Sequence, residues 1–162
     1  MPSGLCAFDI DDTVTCGKKN ATHMVKWCKD HDLPVAIVTA RSRPVPPHDW
    51  ASLGFSAADL RSRFHYNPTS SYQRGKEHGQ AKVRALEQLM HQENVETGRE
   101  CVVLFDDMAY NTDAARDAGY AAVQVGDDDE CGITDAQMAR AQDHLLACVD
   151  RTHDHVQLRS VH

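Results

Sequence analysis

The sequence contains no apolar run that could cross a bilayer. Its longest, such as Cys101 to Phe105, fall far short of the roughly 20 residues a spanning helix needs. It also lacks a basic start followed by an apolar stretch. No secretion signal is therefore read, and the expected setting is cytoplasmic, without a membrane partner. No C-x-x-C pair occurs among Cys6, Cys16, Cys28, Cys101, Cys131 and Cys148. That absence counts against zinc and against a disulfide framework. Cys6 and Cys101 lie inside strand-like apolar runs, so free structural thiols are expected. There is no dinucleotide fingerprint, no serine–histidine–aspartate arrangement, no internal repeat, no low-complexity stretch and no dividing linker.

What is present fits one soluble globular domain: 162 residues, 41% apolar and 25% charged. The net charge of −7 is unevenly spread, with 12 Lys/Arg against 5 Asp/Glu between residues 14 and 84. Such a basic middle is either a solvated face or a surround for anions. The ten histidines are scattered, and His153, His155 and His162 belong to a polar stretch, residues 151–162, expected as a solvated tail.

Short apolar runs alternate with amphipathic stretches. This predicts a doubly wound α/β domain over residues 1–150, a Rossmann-like three-layer sandwich with a five-stranded, mainly parallel sheet. Strands are read at Leu5–Ile10, Val35–Thr39, Phe64–Tyr66, Cys101–Phe105 and Ala121–Val125. Helices are read from a cap at Asn20 to about His31, at Ala57–Arg63, from about Gln80 to Asn94, at Ala109–Ala118 before Gly119, and at Asp135–Val149. Residues 43–75 form an irregular insert that could act as a small lid. The prolines of Arg43-Pro44-Val45-Pro46-Pro47 exclude a helix there.

The chemistry gathers at strand ends. Ala7-Phe8-Asp9-Ile10-Asp11-Asp12-Thr13 runs an apolar strand into three carboxylates and a hydroxyl. Like charges crowded there cost stability unless a cation neutralises them, and hard oxygen donors suit Mg²⁺. Strand alternation would put Asp9 and Asp11 on one side. The alternative is a turn or helix cap, which Asp and Thr also favour. Leu104-Phe105-Asp106-Asp107 repeats the pattern at another strand end, and in a parallel sheet both ends share one rim. Thr39-Ala40-Arg41 ends the second strand with a hydroxyl suited to a phosphoryl oxygen or to its own turn. Lys82 opens the helix before the Asp106 strand, although lysines on helices are commonly solvated. Asp127-Asp128-Asp129-Glu130 reads as a solvated loop.

Asp9-Ile10-Asp11-Asp12-Thr13, then Thr39, Lys82 and Asp106-Asp107 with Asn111, resemble the four ordered motifs of the haloacid dehalogenase (HAD) superfamily of phosphatases. The resemblance covers roughly residues 4 to 126 and is nearest to the capless magnesium-dependent phosphatases. It implies a Mg²⁺-dependent phosphomonoester hydrolase in which Asp9 is the nucleophile and forms an aspartyl-phosphate. Asp11 would serve as acid and base and lend its carbonyl to the metal. Asp12, Thr13, Thr39, Ala40, Arg41 and Lys82 would surround the phosphoryl group. Asp107 would be the first metal ligand of the last motif, with Asp106 and Asn111 in support. Asp12 stands where many members have glycine, and Lys76 competes with Lys82 for the phosphate-binding role.

The gaps between Thr13, Thr39 and Lys82 are too short for a full cap domain. An open site is therefore expected, taking a phosphorylated small molecule or an exposed phosphate on a larger substrate. Lys18, Lys19, Arg41, Arg43 and Arg74 could meet further anionic groups or stay solvated. A nucleotide or nucleic-acid end remains open as a substrate, as does self-association. A non-catalytic phosphate-binding or receiver-like module is the rival outside enzymes. Its usual order of acids, Thr and Lys differs from the order here.

Overall fold

The computed structural model describes residues 1–40, 47–62, 64–66, 75–126 and 131–159. Strands β1 (Leu5–Phe8), β2 (Val35–Thr39), β3 (Phe64–Tyr66), β4 (Val102–Asp106) and β5 (Ala121–Gln124) form one sheet in the order β3-β2-β1-β4-β5, every neighbouring pair parallel. Helices α1 (Lys18–Asp30), α2 (Pro47–Ala51), α3 (Ala57–Ser62), α4 (Lys76–Gln92), α5 (Ala109–Asp117) and α6 (Asp135–Arg159) connect and cover them. The α/β architecture with a parallel sheet is the expected one.

The central strands are buried on both faces, so they read as continuous apolar runs. Alternation still sorts their side chains. Cys6, Phe8, Val35, Ile37, Val103 and Phe105 pack with Met24 and Val25 of α1, Trp50 of α2 and Leu145 of α6. Leu5, Ala7, Ala36, Val38, Val102 and Leu104 pack with Leu86 and Leu89 of α4 and Ala115 of α5. Phe8 stacks on Phe105 across β1 and β4, with centroids 5.0 Å apart. This second face places the site, because α4 and α5 lie over it.

Several expectations are corrected. The six cysteines are paired: Cys6 with Cys28, Cys16 with Cys131, and Cys101 with Cys148. Their partners lie 22, 115 and 47 residues apart, separations a local spacing rule does not register. Helix α1 starts at Lys18 behind Gly17, and Asn20 is no cap: its Nδ2 donates to the Ile133 carbonyl and to Asp135. Helix α4 starts at Lys76, so Lys82 lies well inside it and does not open it. Helix α6 continues to Arg159, so the expected tail is helical up to that residue. Pro47 begins α2, at the first helical position, where its missing N–H costs nothing. Between Thr39 and α4 the chain holds α2, α3 and β3; Arg41, Arg43, Arg74 and the Asp127–Glu130 cluster lie outside the described residues. Among the described residues, no helix is long and apolar enough to cross a membrane.

Candidate active site

Strand β1 ends at Phe8, and the Asp9 N–H donates to the Phe105 carbonyl at 2.8 Å. The register pairs Phe8 with Phe105. Continued by one residue, it sets Asp9 beside Asp106. By alternation both side chains belong to the face covered by α4 and α5, the face from which Lys82 arrives.

Lys82 is fully buried. Its Nζ donates to Asp9 Oδ1 at 2.6 Å and to the Val38 carbonyl at 2.6 Å, and it pairs with Asp106 Oδ2 at 2.9 Å. One ammonium thus ties together the ends of β1, β2 and β4. Its placement depends on a tight crossing of α4 and α5. A Cβ on Gly79 would lie 2.6 Å from the Ala114 Cβ and from the Tyr110 carbonyl, so glycine lets the helices approach. Lys76, the rival, lies exposed at the start of α4.

Asp106 is fully buried and held from several sides. Its Oδ1 accepts from the Met108 N–H at 2.9 Å, while Asn111 Nδ2 donates to Oδ1 at 3.0 Å and to Oδ2 at 3.1 Å. Asp107 is half-buried. Carboxylate oxygens of Asp9, Asp106 and Asp107 all lie within 4.8 Å of one another. Three carboxylates facing one ammonium leave excess negative charge in a dry place, and the ionisation behaviour follows. Burial pushes the Asp9 carboxyl up to about 7; Lys82 opposes the shift and Asp106 adds to it. Asp107 is raised by burial and by Asp106. Burial pulls on Lys82 in the neutral direction, but Asp9 and Asp106 outweigh it and hold its pKa above the ordinary lysine value.

The first motif departs from the expected geometry. After Asp9 the chain makes a wide turn over Ile10–Val14, interrupted by Asp11, itself extended at φ −66° and ψ 134°, and by Asp12 at φ +53°. Strand alternation therefore does not carry through to Asp11. Its side chain is exposed, and its carboxylate is not among the three that meet. For a metal role Asp11 retains its main-chain carbonyl. Asp12 is exposed with φ of +53°, a backbone region that glycine occupies freely and Asp tolerates. Its N–H donates to Thr15 Oγ1 at 3.1 Å. Thr13 is fully buried, and its Oγ1 has no hydrogen-bond partner among the described residues. The same holds for Asn111 Oδ1.

Thr39 is fully buried at the end of β2, next to the Val38 carbonyl that receives Lys82; Ala40 is half-buried after it. Tyr110 was not singled out by the sequence. Its phenol is raised by burial and then by Asp106 and Asp107, which puts it within the field of the cluster. Its position directly before Asn111 is the one sequence signal that could have pointed to it. The Met108 amide, a main-chain group, leaves no mark in sequence.

No protein-family model and no curated protein matches this chain. Five chains of solved structures match. One, a crystal structure, aligns over 91% of this chain and 82% of its own at 14% identity with a TM-score of 0.45, too slight a likeness to carry an argument.

Proposed function

We propose that this chain is a Mg²⁺-dependent phosphomonoester hydrolase of the HAD type, working through an aspartyl-phosphate on Asp9. The observation that carries this reading is the meeting of the Asp9, Asp106 and Asp107 carboxylates within 4.8 Å, with the buried Lys82 bonded to the first and paired with the second.

The donor set fits Mg²⁺: three hard oxygens, two of them on buried carboxylates, with more negative charge than Lys82 neutralises. Asp9 and Asp107 would hold the ion with the Asp11 carbonyl, and Asp106 would support them. Asn111 Oδ1, buried without a partner among the described residues, is an acceptor suited to a water of hydration. When bound, the cation supplies charge that lets a carboxylate approach an anionic phosphate.

The chain's own groups do the rest. Asp9, with Oδ1 anchored by Lys82, presents its carboxylate to phosphorus and takes the phosphoryl group as the ester oxygen leaves. Asp11, exposed on the wide turn, gives that oxygen its proton and later takes one from the hydrolytic water. Thr39 holds a phosphoryl oxygen, with the Thr13 hydroxyl and the Asp12–Thr13 main chain as further donors, and Lys82, whose three N–H groups face Asp9, Val38 and Asp106, offsets the charge of the nucleophile. The positive φ of Asp12 accounts for glycine at this position in many HAD enzymes, which favours the resemblance.

Hydrolysis of an aryl phosphate tests the reading. Turnover should require Mg²⁺, vanish with EDTA, and fall by at least about a thousand-fold in Asp9→Asn. Turnover in Asp9→Asn equal to that of the parent would remove the nucleophile. Stable phosphorylation of Asp9 without release would favour a phosphate-binding signalling module.

A further inference from the structure

We infer that the Cys16–Cys131 disulfide is a redox-cleavable tether that sets the shape of the loop carrying Asp11, Asp12 and Thr13. The inference rests on the phosphatase reading for its functional consequence, but its structural content stands apart from it.

Three observations converge. The first is place. Cys16 follows the wide turn Ile10–Val14 closely, and Cys131 lies in the connection between β5 and α6. In a parallel sheet both connections leave the rim on which the carboxylates gather. The second is access. Cys6, Cys28, Cys101 and Cys148 are fully buried in the cores, whereas Cys16 is half-buried and Cys131 exposed. A soluble dithiol therefore reaches this pair first.

The third is backbone design. The two Cα atoms are 5.3 Å apart, inside the roughly 4.4–6.8 Å a disulfide spans. Each cysteine is followed by a glycine at positive φ, Gly17 at +66° and Gly132 at +83°. A Cβ on Gly17 would lie 2.5 Å from the Cys131 carbonyl oxygen, and one on Gly132 would run into the Cys16 carbonyl and lie 3.1 Å from the Gly17 Cα. Both connections are thus built for main chain against main chain. The neighbouring bonds from Asn20 to the Ile133 carbonyl and to Asp135 extend the same contact.

The turn needs such support. It contains Asp12 at positive φ, braced through Thr15, whose Oγ1 accepts from the Asp12 N–H at 3.1 Å and donates to the Ile10 carbonyl at 3.3 Å. Thr15 adjoins Cys16, so freeing Cys16 loosens the brace. The exchange balances as follows. A dithiol thiolate attacks Cys131 Sγ, the S–S bond breaks and Cys16 leaves as a thiolate that takes a proton from solvent. The second dithiol sulfur then displaces Cys131. The protein gains two electrons and two protons, and the dithiol closes to its cyclic disulfide.

The test uses the full chain, purified under air and exposed to graded dithiothreitol. Alkylation with iodoacetamide, peptide mapping, hydrogen exchange and aryl-phosphate turnover are followed together. Cys16 and Cys131 should label first. Exchange over residues 10–17 should rise at least about tenfold at that point, and turnover should fall in parallel. Cys131→Ser should exchange at the reduced rate from the outset and ignore reductant. Absence of all turnover, with labelling and exchange as described, would count against the phosphatase and leave the tether supported. Free Cys16 and Cys131 in the untreated protein, or unchanged exchange over residues 10–17 on reduction, would overturn the tether whatever the turnover.

Discussion

Asp9 holds a proton near neutrality that the unfolded chain would surrender at ordinary carboxylate pH, because burial raises it to about 7 against the pull of Lys82. Between the unfolded value of 3.8 and about 7, the folded metal-free protein binds more protons than the unfolded chain. Its stability therefore falls as pH rises through that window, by up to about 1.4 kcal/mol per pH unit for one proton. Asp107, also raised, adds to the same trend. Lys82 does not, because the stability linked to its raised pKa is lost only at high pH. Thermal melts in EDTA from pH 5 to pH 8 should show this decline, and Asp9→Asn should flatten it; an equal slope in the variant would contradict the assignment. Lys82 is the other residue with large consequences. Replacing it by alanine leaves two buried carboxylates without their cation, which costs about 3–5 kcal/mol. Urea unfolding of Lys82→Ala should show that loss, and Mg²⁺ should restore part of it. The order of Lys82 in the chain was legible from its motif but its burial was not, since only the packing of α4 against α5 and the sheet brings its ammonium to Asp9 and Asp106. Sequence alone favours Asp107 over Asp106, because the Met108 amide and the α4 lysine that hold Asp106 are invisible in the local sequence.

At the scale of elements, the site depends on two places where backbone geometry is unusual. Gly79 brings α4 onto α5. Gly79→Ala gains about 1 kcal/mol in helix propensity, yet forces a methyl into the Ala114 Cβ and the Tyr110 carbonyl, an overpacking that costs about 1–3 kcal/mol. The expected result is a lower urea midpoint and a larger loss of turnover than of stability, because Lys82 moves with the helix. A raised midpoint would show that the crossing relaxes freely. The second place is Asp12 at φ +53°. Asp12→Gly should be near neutral or slightly stabilising, whereas Asp12→Val should cost about 1–2 kcal/mol because a branched side chain resists that conformation. The apolar runs made β1, β2 and β4 legible, since a strand buried on both faces has little other composition, while the half-buried β5 was legible from its short apolar run alone. The end of β1 was not legible: Asp9-Ile10-Asp11 suits continued extension as well as a turn. The reading that set Asp11 beside Asp9 followed from carrying the strand period past Phe8.

For the whole molecule, a doubly wound sheet gathers residues distant in sequence onto one rim, which made the convergence of Asp9 with the Asp106-Asp107 pair foreseeable from topology. The cysteine pairs were not foreseeable, because their partners meet only through that same topology. Cys16 and Cys131, 115 residues apart, come together as loops of one rim. Three cysteine pairs persist best in an oxidising setting, because reducing pools open accessible disulfides. The proposed hydrolysis requires two acidic strand ends to share one divalent ion. Calorimetric titration of Mg²⁺ into EDTA-stripped, dialysed protein at pH 7.5 tests this most directly, with Asp9→Asn and Asp107→Asn measured alongside. A shared site predicts one Mg²⁺ per chain in the parent and its loss in both variants, with tighter binding at pH 7.5 than at pH 6 as Asp9 gives up its proton. Parent protein that takes up no Mg²⁺, or binding that survives both substitutions, would contradict it.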